Sequence, residues 1–208
     1  DGVRTECEAE TVGRLRADVG IPEESRVLVF GSTRPGDEGL AAKCWAGLRD
    51  AFPELRLVVA PRHLDRVDEA CAPFDEPILL RSETLQGRAP RGERVIVVDV
   101  MGELVTFYAM ATAAVIGGSF FPGVEGHNPL EPAALGAPTV FGPYMRNFID
   151  PAEGLLRGEG AVQTEAEELG EVLASLLADA ARRRSLAENG RKAVLSNQGA
   201  IARSLDAL

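Results

Sequence analysis

The sequence predicts a doubly wound α/β domain with a Rossmann-like, mostly parallel sheet and a helical C-terminal tail. Short apolar runs rich in Val, Ile and Leu alternate with amphipathic stretches through most of the chain. Those runs are continuous rather than polar-apolar alternating, as strands covered on both faces must be. The last third then switches to apolar residues at helical spacing.

Val27-Leu28-Val29-Phe30, Leu55 to Ala60, Val95 to Val98, Ala113 to Ile116 and Pro138 to Phe141 read as buried strands, with Ile78-Leu79-Leu80 a fainter one. Between the first two, Leu40, Cys44, Gly47, Leu48 and Ala51 share one helical face. Such alternation implies βαβ units with right-handed crossovers. Thr164 followed by Glu167 reads as a capping box, opening a helix that carries Leu169, Val172, Leu173, Leu176 and Leu177. Helical pattern continues from Ala180 to Leu208, past Arg182, Arg183 and Arg184. Gly87 to Gly92 is expected to be a mobile surface loop. No repeat, low-complexity tract or composition shift divides residues 1–208, so one domain is expected.

Composition narrows the partners. At 208 residues, 45% hydrophobic and 26% charged, the chain can bury a core without disulfides or a structural metal. Its formal charge of −10 disfavours nucleic acid and anionic membrane as main partners, both of which reward a basic surface. A phosphate ligand must therefore be held by local donors. The apolar runs are too short to span a bilayer. The start, Asp-Gly-Val-Arg-Thr-Glu, lacks the basic and apolar regions of a signal peptide. It reads as a cut within a larger protein or as a helix leading into a domain. Cys7, Cys44 and Cys71 are odd in number and widely spaced, which suits reduced thiols and a cytoplasmic location. His63 and His127 are the only histidines, no C-x-x-C or H-x-x-x-H spacing occurs, and no metal is expected.

In an open parallel sheet, ligands bind outside the carboxyl ends of the strands, so the segments after each strand are the ones to read. Gly31-Ser32-Thr33-Arg34-Pro35-Gly36-Asp37-Glu38 is either a phosphate-cradling loop or a tight strand-to-helix turn; the Walker ending is absent. In Pro61-Arg62-His63, the arginine either makes forked bonds to a phosphate or base edge, or is simply solvated. Val100-Met101-Gly102-Glu103-Leu104 offers backbone groups to a base edge, unless Glu103 merely favours the next helix.

The richest segment runs from Gly117-Gly118-Ser119 through Gly126-His127-Asn128-Pro129-Leu130-Glu131. Here Asn128 reads as an N-cap and Pro129 as the first helical residue, presenting a helix N-terminus where an anionic leaving group could sit. Glu131 either closes a capping box to the Asn128 backbone or accepts hydrogen bonds from ribose hydroxyls. His127 is a phosphate contact or a plain loop residue. After Phe141, Asn147 reads as an N-cap, with Tyr144 or Arg146 as the alternatives that reach the cleft.

Together these segments resemble the Kdo (3-deoxy-manno-octulosonate) transferases, inverting glycosyltransferases built from two Rossmann-like domains (GT-B). The matching residues are Ser32-Thr33 with Gly36-Asp37-Glu38, Ala60-Pro61-Arg62-His63, and Asp99 to Leu104. Gly117-Gly118-Ser119, Gly126 to Ala133, Phe141-Gly142-Pro143, Met145 and Asn147-Phe148 follow in the family's order. The His127-Asn128-Pro129-Leu130-Glu131-Pro132-Ala133 run is the specific part; the Ser-Thr turn and the tail are common to many glycosyltransferases.

The resemblance implies a donor domain for CMP-Kdo, a lipid A precursor as acceptor, and no cofactor or metal. Carried over, Ser32, Thr33, Arg62, Met101, Gly102, Glu103, Gly118, Ser119, His127, Asn128 and Glu131 would form the donor site. The family tends to have His where Arg34 stands, Gly where Glu125 stands and His where Tyr144 stands. Its N-terminal half, which would hold the acceptor site, the general base and usually a membrane anchor, lies outside this sequence. No catalytic residue is therefore expected here, and the full-length protein is expected at the cytoplasmic face of the inner membrane. A UDP-sugar donor and a non-catalytic nucleotide-binding module are the alternatives.

Overall fold

The computed structural model describes residues 3–205, with side chains described through residue 196. Every paired strand is parallel. β1 (Val27–Thr33), β2 (Arg56–Pro61), β3 (Ile78–Leu80), β4 (Val95–Val97), β5 (Ala113–Ile116), β6 (Thr139–Phe141) and β7 (Ala161–Gln163) lie in the order β3-β4-β2-β1-β5-β6-β7. β1 is central. The chain winds outward from it on one side through β2 and β4, and on the other through β5, β6 and β7. The switch point is therefore between β1 and β5, where a crevice opens at the carboxyl ends.

Adjacent strand residues point to opposite faces, so each continuous run feeds two cores. Leu28, Phe30, Leu57, Val59, Val95, Val97 and Val115 pack against α2 (Asp37–Leu48) through Leu40, Cys44, Trp45 and Leu48, and against α8 (Leu169–Ala178). Val27, Val29, Val58, Ile96 and Ala114 face the other way, onto Leu15 of α1 (Ala9–Asp18) and Phe107 and Tyr108 of α5 (Leu104–Ala109). A third cluster joins Ile116 and Phe141 to α6 (Leu130–Ala134), α7 (Ile149–Arg157) and Val194 of α9 (Ala180–Leu205). α3 (Val67–Cys71) and α4 (Arg81–Leu85) are single turns flanking β3.

The strands read from the sequence all form, and the order α8–α9 is the helical tail; its last expected residues, 206–208, lie outside the described residues. One local expectation changes, one strand is added and one loop gains anchors. β7 was not legible, because only Ala161 of its three residues is buried. The Thr164–Glu167 capping box does not form: α8 begins at Leu169, and Thr164 instead donates weakly to Glu168 at 3.4 Å. Gly87 to Gly92 is a surface loop stitched by buried Glu93, which accepts from Arg88 and from the Arg91 amide, both at 2.6 Å. The three cysteines are free thiols; burial pushes Cys44 up to about 11.

Candidate functional site

At the crevice lies a cavity of about 270 Å³. Its walls come from the ends of β1 and β2 and the segments that follow β1, β2, β4, β5 and β6, because parallel strands deliver all their exit loops to one edge. Of the residues read as donor-binding, Ser32, Arg62, Met101, Gly102, His127, Asn128 and Glu131 line it. Thr33, Glu103, Gly118 and Ser119 do not, and each has a structural reason.

Thr33 is fully buried, and its hydroxyl donates to buried Glu38 at 2.9 Å. Glu38 in turn meets Arg66 at 3.3 Å, so the turn after β1 is closed by an internal chain of polar contacts. Ser119 is buried too, with its hydroxyl spent on the fold. It donates to the Ile116 carbonyl at 2.6 Å and accepts from the Gly142 amide at 2.8 Å, tying the exit of β5 to the exit of β6. Glu103 turns away from the cavity to grip Arg81 with both oxygens, at 2.7 and 3.0 Å. Forked pairing of this kind is strong and directional. Arg81 is buried and also reaches Asp18 at 3.3 Å, so the Met101-Gly102 loop is held from beneath.

Gly118 gives its amide to Asp37 Oδ2, at 2.6 Å. The same oxygen accepts from the Arg34 amide at 2.8 Å, so Asp37 clamps the loops after β1 and β5 together. What glycine contributes at 118 is space in a left-handed backbone (φ 68°). A Cβ there would stand 2.6 Å from Val124 and 3.3 Å from His127.

Asp37 is buried and its Oδ1 has no partner among the described residues. Burial outweighs the two amide bonds and raises its pKa to about 6. The folded value lies above the unfolded 3.8, so the fold favours the protonated acid. Its contribution to stability is therefore full below about pH 4 and lost as pH rises through 6, by up to about 3 kcal/mol. Urea unfolding of wild type and Asp37→Asn between pH 4 and pH 7 should show the variant gaining relative stability over that interval. Parallel pH curves would mean that burial does not hold the acid up.

The cleft is locally cationic although the whole chain is acidic. His127 is pushed down to about 4, by burial first and then by Arg62, Arg34 and His63. It is neutral at pH 7, and its Nε2 is buried without a partner among the described residues. Arg34 makes a side-chain contact with His63 at this rim. On the opposite side, Asn128 Oδ1 accepts from the Leu130 amide at 3.0 Å, capping α6 one residue earlier than the helix boundary suggests. The Glu131 carboxylate makes no bond to the Asn128 backbone; it meets only the Asn128 side-chain amide, at 3.5 Å. It is thus not consumed by a capping box, and it lines the cavity. α6 is five residues long, too short to supply the helix-end field expected at the mouth.

Asn147 does not cap a helix. It donates through its side chain to the Val124 carbonyl at 2.8 Å and through its amide to the Glu125 carbonyl at 3.0 Å. That loop needs pinning, since Glu125 sits at φ 64°, a left-handed conformation that favours glycine. Neither Tyr144 nor Arg146 lines the cavity; Phe148 does. Tyr108 lines it as well, unsignalled by any exit loop because it comes from the body of α5. Among the described residues no group of three His, Cys, Asp or Glu is placed to hold a metal ion, and no helix is long and apolar enough to cross a membrane.

A larger hollow of about 750 Å³ lies elsewhere, against α1, and includes Arg16, Ile21, Leu135 and Arg191. Its arginines serve the fold: Arg16 donates to the Pro22, Glu23 and Ser25 carbonyls, and Arg191 to the Leu135 carbonyl.

No protein-family model matches the chain. It is 31% identical over 232 residues to the 3-deoxy-D-manno-octulosonic acid transferase of Bordetella pertussis, covering 100% of this chain and 54% of that protein. Its likeness to the enzyme of the same name from Chlamydia trachomatis is 32% over 178 residues, covering 85% and 40%. The chain spans about half the length, or less, of these curated relatives. Among solved structures it superposes on the C-terminal CMP-Kdo binding domain of WaaA from Acinetobacter baumannii with a TM-score of 0.79. Identity there is 26%, over 89% of this chain and 96% of that one. The fold recurs at 19% identity and TM-score 0.63 in WaaG, a glycosyltransferase involved in lipopolysaccharide biosynthesis, over 93% of this chain and 50% of that one.

Fold and cleft together define the class, a glycosyltransferase domain of the GT-B kind. Within that class the chain is similar over its whole length to part of a 3-deoxy-D-manno-octulosonic acid (Kdo) transferase, and its likeness to the WaaA domain places that part at the C-terminal end.

Proposed function

We propose that this chain is the donor-binding half of an inverting glycosyltransferase that transfers Kdo from CMP-Kdo to a lipid A precursor. The observation that carries the reading is the polarity of the crevice. Arg62 and neutral His127 line the cavity that also holds Glu131, with Met101 and Gly102 beside them. That arrangement suits a nucleoside monophosphate: donors for the phosphate, carboxylate acceptors for the ribose, and a small apolar loop for the base. As the glycosidic bond breaks, charge grows on the departing CMP phosphate, and Arg62 is positioned to stabilise it. The nucleotide needs no metal in this scheme. The acceptor site and the general base belong to the remaining length of the full protein, at the cytoplasmic face of the inner membrane.

Calorimetry with CMP, UMP and AMP tests the reading. CMP should bind best, though weakly because half the cleft wall is absent, and a chelator should leave its affinity unchanged. Tighter binding of UMP would assign the site to a UDP-sugar instead.

A further inference from the structure

Tyr108 is a core residue by its ring and a cleft residue by its hydroxyl. Its neighbour Phe107 is wholly buried, and the Tyr108 ring packs in the same cluster. The hydroxyl, however, lies over the Cα of Gly31 at the carboxyl end of β1. A Cβ built on Gly31 would stand 1.9 Å from that oxygen, so residue 31 is glycine because Tyr108 ends there. Tyr108 also lines the cavity that holds Ser32 and Glu131. Among the described residues the hydroxyl makes no hydrogen bond, and it is not one of the side-chain atoms sealed from solvent, so it is free to meet a ligand in the cavity.

The chemistry of the pair is complementary. The Glu131 carboxylate oxygens are hydrogen-bond acceptors; the phenol can donate a hydrogen bond. Burial and the nearby Glu131 charge both raise the Tyr108 pKa, so at neutral pH the phenol keeps its proton. A vicinal diol asks for such a mixed partner, because each hydroxyl both donates and accepts.

Resting on the nucleotide reading above, we propose that Tyr108 and Glu131 form a two-point reader of the ribose diol, which makes the site selective for ribonucleotides. Tyr108 donates to the oxygen of one ribose hydroxyl, and the diol donates to Glu131. Gly31 is the third part of the device, since any side chain at that position would displace the phenol.

Calorimetry of wild type, Tyr108→Phe and Glu131→Gln with CMP, 2′-deoxy-CMP and 3′-deoxy-CMP tests this, with melting temperatures measured in parallel. Tyr108→Phe should weaken CMP about three- to tenfold at an unchanged melting temperature. Towards the deoxy analogue that lacks the hydroxyl Tyr108 reaches, wild type and variant should be equal. Glu131→Gln should weaken CMP about tenfold or more. If Tyr108→Phe binds CMP as wild type does, or loses all three ligands by the same factor, the diol assignment fails while the nucleotide reading stands. A wild-type chain that binds no CMP overturns both.

Discussion

In an assay with CMP-Kdo made in situ and a lipid A precursor, the isolated chain should show no turnover, while the full-length enzyme transfers steadily. An inverting displacement needs a base within hydrogen-bond reach of the acceptor hydroxyl, opposite the departing phosphate. Four of the described carboxylates around the crevice already have other roles. Glu103 is locked to Arg81, Asp37 to two backbone amides, Glu38 to Thr33 and Arg66, and Glu131 lines the proposed nucleotide cavity. His127 is neutral at pH 7 but lines the cavity with Arg62, on what is proposed as the leaving-group side. Positioning is lost as well, and holding two reactants in register supplies about 7–11 kcal/mol of a barrier. Separation should therefore cost about 10⁵-fold or more in rate. Steady transfer by this chain alone would mean that a base lies within it.

The largest expected effect on stability is that of Gly117→Ala. Gly117 follows β5 and donates to the Gly31 carbonyl at 2.8 Å, where the exits of β5 and β1 touch. A Cβ there would meet the Ser32 oxygen at 2.4 Å and the Thr33 Cα at 2.7 Å, all backbone, which cannot swing aside as a side chain could. The strand exits must separate, at a cost of about 3 kcal/mol or more. For a domain of this size that is a loss of about 6–12 °C in melting temperature. Gly170→Ala, where a Cβ meets nothing within 4 Å, is the control, and it should stabilise α8 slightly. A melting temperature for Gly117→Ala within a degree or two of wild type would show that the crevice edge yields more easily than its backbone contacts imply.

The fold was legible because parallel strands buried on both faces announce themselves as continuous apolar runs. Leu55 to Ala60 and Ala113 to Ile116 could be little else. β7 hid because an edge strand of three residues, mostly unburied, carries no such pattern. The site was legible as a set of loops, since topology alone brings every strand exit to one edge. Which side chain within a loop faces the ligand was not. Ser119 and Thr33 look like ligand hydroxyls in sequence, yet each is consumed by a partner distant in the chain or a turn away, Gly142 and Glu38. Glu103 is taken by Arg81, which sequence reading gave no cause to place beneath it. Tyr108 went unseen for the opposite reason: it reads as helix core, and only the missing Cβ of Gly31 lets its oxygen through.

The shared carboxylate of Asp37 has a consequence for how the crevice responds to an occupant. Because one oxygen holds the amides of both Arg34 and Gly118, the lips after β1 and β5 are a single stiff jaw rather than two independent flaps. An occupant entering between Arg62 and Glu131, such as the proposed nucleotide, finds that jaw already set, and little backbone entropy remains to be lost on binding. Gripping the ligand more tightly then cannot come from these loops folding inward.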